Sequence, residues 1–176
     1  MSNVPSVNEG KIQEQEVQFK AGVSEYTARR MASNVNFLFD YHIFDHAFKI
    51  NGPMGPFSGK NGVDGPFVFE HDATIIDVII YRNEAGSSGQ FQVSIKSSTF
   101  PSGAWTSILS TQPIITSAAA AFTTCGVGDS VTGCTAAVIS GGTINVSAKT
   151  RLRMDVVSTE AGLPRTGGII IKYIYR

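Results

Sequence analysis

The amino-acid sequence predicts an all-β protein: an antiparallel β-sandwich, jelly-roll-like in topology, preceded by an extended arm and one helical segment. Three observations carry that prediction. From Phe67 onward, short runs rich in Val, Ile, Phe, Tyr and Thr recur between clusters of Gly, Pro, Ser, Asn or Asp. Several runs alternate apolar and polar residues with the period of two that turns one strand face into a core. No helical periodicity separates them, which excludes a parallel sheet built on crossover helices.

At the N-terminus, residues 1–23 are polar, lack periodicity and contain the breakers Pro5, Gly10 and Gly22, so they are expected to form an extended arm that orders against a partner. Ser24 is suited to cap a helix, and Glu25 in the first turn complements the helix dipole. From Tyr26 to about Phe48, Met31, Val35 and Leu38 form one apolar stripe and Phe37, Tyr41, Phe44 and Phe48 a second, with steps of three or four. That spacing favours a helix. The positions Phe37, Phe39, Tyr41 and Ile43 also alternate as a strand would, so the second half of the segment fits either period. Two apolar stripes exceed what a helix lying on one sandwich buries, and Met31, Val35, Phe37, Leu38 and Phe44 are therefore expected to form an oligomer interface. The competing expectation is a helix that closes the open end of the sandwich.

Residues 51–66, NGPMGPFSGKNGVDGP, offer almost no side chain to bury and read as a Gly/Pro linker. Their interrupted glycine triplets are too few for a collagen helix. The expected organisation is thus an arm and docking helix over residues 1–50, a linker over 51–66 and a β-sandwich over 67–176. Within the sandwich the expected strands are Phe67–Phe69, Thr74–Tyr81, Gln90–Ser97, Trp105–Leu109, Ile114–Thr116, Ala136–Ser140, Thr143–Ala148, Arg151–Ser158 and Gly168–Tyr175. In two of them the faces are explicit. Phe91, Val93 and Ile95 oppose Gln92, Ser94 and Lys96, and Leu152, Met154 and Val156 oppose Arg151, Arg153 and Asp155.

Composition limits the partners. The 176 residues are 42% hydrophobic and 16% charged, with fourteen basic and fourteen acidic residues and a formal net charge of +0. A neutral chain creates no global field toward nucleic acid or anionic lipid, so neither is expected as a partner. Hydroxyl-rich strand faces with few charges suit an exterior covered by neighbouring subunits. The first ten residues lack a basic and an apolar signal region, and no apolar run approaches the roughly 20 residues of a membrane helix. Folding in a cytosol is the expectation.

The search for chemistry returns little. His42 and His46 lie four apart beside Asp45, but the Glu of the zinc-protease pattern is missing and His71 is the only other histidine, so no metal is expected. Gly55 to Lys60 has the wrong spacing for a phosphate loop, and Gly86-Ser87-Ser88-Gly89 the wrong spacing for a nucleophile elbow. No nucleophile, base and orienting group can be named together, so neither catalytic residues nor a cofactor are predicted. Cys125 and Cys134 flank a loop with Gly126, Gly128 and Gly133 that lets the chain turn back, which makes a disulfide possible; two reduced thiols are the equal alternative in a cytosol. Asn145-Val146-Ser147 matches a glycosylation triplet but reads as part of a strand. Trp105 with Tyr81, Tyr173 and Tyr175 offers a sugar-stacking platform or, more simply, aromatic core.

The order of parts resembles that of small virion proteins of tailed bacteriophages. The resemblance rests on SEYTARRMASNVNFLF, the bridge NG…DGPFVF, the strand ATIIDVIIYRNEAGSSGQFQVSIK and the stretch WTSILSTQPIITSAAAAF, and covers about residues 24–122. It implies a non-enzymatic part that decorates a capsid or forms short fibres or collars, commonly as a homotrimer with capsid, neck or tail proteins as partners. The region of Cys125 and Cys134 has no counterpart in it. A receptor- or carbohydrate-binding module of a tail fibre is the alternative function.

Overall fold

The computed structural model describes residues 7–8, 11–12, 43–101, 103–162 and 166–176, and the chain divides into two units. The smaller, 1–43 with 174–176, contains β1 (Val7–Asn8) and β2 (Lys11–Ile12), paired antiparallel. The larger, 44–173, begins with β3 (Phe44–Asn51), β4 (Val63–Val68), β5 (Ala73–Arg82) and β6 (Gln90–Thr99). Short strands follow: β7 (Thr106–Ser107), β8 (Leu109–Thr111), β9 (Ile114–Thr116), β10 (Thr124–Cys125), β11 (Cys134–Thr135), β12 (Val138–Ile139) and β13 (Ile144–Val146). Two long strands follow, β14 (Thr150–Ser158) and β15 (Thr166–Tyr175), the latter belonging to this unit through residue 173.

These strands form two main antiparallel sheets. The first has the order β10-β5-β15-β3 with β13 also on β5; the second has the order β11-β9-β6-β14-β4 with β7 also on β6. A two-stranded ladder joins β8 and β12. Strands β3, β4, β5 and β6 alternate between the sheets, as do β13, β14 and β15, so most connections cross from one layer to the other.

The core lies between the inner faces. Phe48 and Ile50 from β3, Ile75, Val78 and Ile80 from β5, and Ile169 and Ile171 from β15 meet Phe91, Val93 and Ile95 from β6 and Leu152, Met154 and Val156 from β14, all essentially without exposure. Each such side chain contributes about 1.5–3 kcal/mol of transfer free energy against an extended reference. The alternation read in β6 and β14 is therefore the packing alternation, with two exceptions, Ser94 and its ladder partner Asp155, which are buried on the polar face. The 60–62 turn folds over Asp155: Gly62 N–H donates to its Oδ1 at 2.8 Å and Val156 N–H donates to the Lys60 carbonyl at 2.8 Å.

The expectation of a helix running to Phe48 is corrected, since Phe44 to Asn51 are a strand. β3 pairs with β15 from Thr166↔Asn51 to Tyr173↔Phe44. A step of four residues is a helical step and also twice the strand period, so Phe44 and Phe48 share a face in either conformation. The long-range ladder with β15 decides between them. Residues 24–42 of that segment lie outside the described residues, and among the described residues there is no α-helix, only a single 3-10 turn at Gly55–Phe57.

The Gly/Pro segment is also more than a spacer. Met54 is completely buried, β4 starts at Val63 and pairs with β14, and the larger unit begins ahead of this segment at Phe44. Gly52, Gly59 and Gly62 serve the turns here at positive φ, and Gly65 takes a positive φ within β4.

Candidate interaction surfaces

Of the residues predicted to form an oligomer interface, Met31, Val35, Phe37 and Leu38 lie outside the described residues. Phe44 is half-buried at the start of β3, its ring stacked on Tyr173 at 5.7 Å. The histidines do not gather. His42 lies outside the described residues, His71 is exposed between β4 and β5, and His46 is stacked on Phe67 at 4.2 Å with Phe48 edge-on at 4.7 Å. Burial holds the His46 imidazole below its ordinary value, against the opposite pull of Asp64 and Asp45. Among the described residues no group of three His, Cys, Asp or Glu is arranged to hold a metal ion.

The aromatic residues proposed as a sugar platform are dispersed. Tyr173 is buried against Phe69 at 5.1 Å and Phe67 at 5.8 Å. Trp105, next to β7, sits against the outer face of the second sheet, where Arg151 and Arg153 project from β14. Their guanidinium carbons lie 5.1 and 4.6 Å from the indole centroid. Arg151 also donates to Ser98 Oγ at 3.0 Å, and Arg153 and Lys96 converge on the Asp155 carboxylate at 3.2 and 2.9 Å. The cluster forms a cation–π and ion-pair clamp across β6, β14 and the chain beside β7.

Sequence reasoning missed the loop after β9. Phe122 is 79% exposed and adopts φ +56°, a left-handed conformation costly for a residue with a Cβ. Val127 and Val131 are exposed in the next loop, between β10 and β11. The backbone on which Phe122 stands is held firmly: Phe122 N–H donates to the Asn83 carbonyl at 3.2 Å and Arg82 N–H to the Thr123 carbonyl at 3.0 Å. Beneath it, the fully buried Arg82 guanidinium pairs with Glu160 and donates to the carbonyls of Ala119 and Ala120. Glu160 Oε2 in turn accepts Gly86 N–H at 2.8 Å. A rigid base under an exposed, strained aromatic residue is suited to contact with another protein rather than to chemistry. The only sequence signal was a phenylalanine among small residues, SAAAAFTT.

Cys125 and Cys134 do come together. β10 pairs Cys125 with Ile80 in the first sheet, β11 pairs Cys134 with Ile115 in the second, and the two reduced thiols share a hydrogen bond. Asn145 of the glycosylation triplet lies in β13, where its Oδ1 accepts the Thr74 hydroxyl at 2.8 Å.

The geometry defines a two-sheet antiparallel β-domain. No protein-family model matches the chain, and no curated protein matches it. Among solved structures, its fold is similar to that of a chain in the capsid of Ralstonia phage GP4, with a TM-score of 0.50 and 15% identity, covering 77% of this chain and 86% of that one. Weaker alignments reach a T13 viral particle of IBDV (TM-score 0.28, 9% identity, 76% of this chain and 31% of that one) and a virus-like particle of the Macrobrachium rosenbergii extra small virus (TM-score 0.20, 8% identity, 76% and 80%).

Proposed function

We propose that this chain is a non-enzymatic structural component of a bacteriophage particle, a jelly-roll-like domain that decorates or projects from the virion surface as a homotrimer. The observation that carries the proposal is the fold shared with a chain of the Ralstonia phage GP4 capsid over most of both chains. Strands that alternate between two sheets suit the jelly-roll assignment. The exposed Phe122 on its rigid base supports a role in contact, since an ordered apolar side chain left in water has most to gain from a partner.

In this proposal residues 1–23 dock to a capsid, neck or tail protein, and Met31, Val35, Phe37 and Leu38, with Phe44 beside them, join the subunits. One patch meeting a different patch on the next copy closes a ring when the rotation closes, and three is the order that the resemblance to phage virion proteins implies. Light scattering on the full-length protein at micromolar concentration tests the trimer, and a monomer refutes it. Leu38→Asp is expected to dissociate it by placing an unpaired carboxylate in the contact, with circular dichroism unchanged. Co-sedimentation with phage particles tests the docking role: deletion of residues 1–23 is expected to abolish attachment and leave the β-domain folded. Equal binding by the truncated protein refutes it.

A further inference from the structure

We propose that Cys125 and Cys134 form an intramolecular disulfide by exchange with a small-molecule disulfide, and that this bond fastens the two sheets together at one end of the domain. The inference stands on the placement of the thiols and is independent of the virion assignment. Cys125 belongs to β10, at the edge of the first sheet, and Cys134 to β11, at the edge of the second.

The intervening loop already holds the approach. Asp129 N–H donates to the Gly126 carbonyl at 3.2 Å, Cys134 N–H to the Val131 carbonyl at 3.0 Å, and Gly126 N–H to Asp129 Oδ2 at 2.7 Å. Gly133, at φ +77°, passes so close to Ala119 that a Cβ would stand 2.6 Å from its backbone nitrogen, so the chain beside Cys134 has no freedom to retreat in that direction. In the unfolded chain the two cysteines meet only by loop closure; in the native fold they are already neighbours, which favours the bond in the folded state.

The chemistry has an order. Cys134 is half-buried and Cys125 completely buried, so an external reagent meets Cys134 first. Burial raises the Cys134 thiol against the opposing pull of the hydrogen bond from Cys125 and of the nearby Arg82 guanidinium; as its thiolate it attacks one sulfur of the reagent and expels a small thiolate. Cys125, whose thiol burial pushes up to about 11, then loses its proton and attacks Cys134 Sγ, releasing the second small thiol. The balance is two protein thiols and one small disulfide giving one protein disulfide and two small thiols. Burial raises both thiols despite these local favours, so closure is expected to accelerate as pH rises from about 7 to 9.

The test uses full-length protein, purified reduced and then treated with oxidised glutathione. Wild type is expected to lose both titratable thiols, to lose the mass of two hydrogens, to retain no glutathione and to show no crosslinked dimer on a non-reducing gel. Its denaturant midpoint is expected to rise over that of the reduced protein. Cys125→Ser is expected to trap glutathione on Cys134, whereas Cys134→Ser in its native state is expected to leave Cys125 unreacted. Wild type that keeps its thiols, retains glutathione or crosslinks between chains overturns the pairing, and an unchanged midpoint overturns the fastening role. Should either variant fail to fold, the wild-type mass decides the pairing.

Discussion

Replacing Arg82 with methionine removes the cation from a pair whose side chains are both 0% exposed, leaving the Glu160 carboxylate with the Gly86 N–H as its remaining hydrogen bond. The carbonyls of Ala119 and Ala120 lose the guanidinium donor as well. Breaking a buried pair from one side costs about 3–5 kcal/mol, because the surviving charge stays desolvated. In a chain of this size each kcal/mol moves the thermal midpoint by about 2–4 °C, so Arg82→Met is expected to melt roughly 6–20 °C below wild type. Replacing both partners, Arg82→Met with Glu160→Leu, removes the stranded charge and is expected to recover much of the loss, though not the part owed to the two carbonyls. Urea titrations followed by circular dichroism on wild type, both single variants and the double variant close the cycle. A single-variant loss below about 1 kcal/mol, or a double variant equal to the sum of the singles, refutes the argument that this pair anchors the loop.

Three further outcomes follow from other parts of the fold. Gly168→Ala drives a Cβ into the Phe48 carbonyl oxygen, a backbone atom held in the ladder with β15; hydrogen exchange is expected to show β3 losing protection, and a variant as protected as wild type contradicts the contact. His46 is held below its ordinary value, so the unfolded chain binds its proton more readily and stability falls as pH drops through about 6.5; His46→Phe is expected to flatten that slope between pH 7.5 and 5.5, and an unchanged slope assigns it elsewhere. Phe122→Gly relieves a positive φ and uncovers no core, so its urea midpoint is expected to equal or slightly exceed that of wild type, while a clear loss of stability shows that the ring packs in the isolated protein.

The long strands were legible because alternation is local information. Thr74–Tyr81 was read where β5 runs Ala73–Arg82, and Arg151–Ser158 where β14 runs Thr150–Ser158. β3 was hidden by the shared four-residue step of Phe44 and Phe48. The start of β4 was hidden by Asp64, Gly65 and Pro66, residues that ordinarily end a strand, with Asp64 and Gly65 both at positive φ. β10 and β11 are two residues each and exist through distant partners such as Cys125↔Ile80, which no window of sequence contains. At the surfaces, the approach of Cys125 to Cys134 followed from spacing and intervening glycines. The Arg82–Glu160 pair, joining residues 78 positions apart, had no local signature.

The sheet order has a consequence for how the chain is made. In the first sheet β15 lies between β5 and β3, and in the second β14 lies between β6 and β4, so each sheet receives a central strand from the last two strands of the described chain. β3 and β4, the first long strands among the described residues, have β15 and β14 as their partners, and both wait for nearly the whole domain to be translated at about 5–20 residues per second. Until then the nascent polypeptide holds the unpaired edges of β5 and β6 and the apolar faces meant for the core. No amino-terminal portion ending before Thr150 contains either main sheet complete, so a chain stalled there leaves unpaired edges and apolar faces open to aggregation.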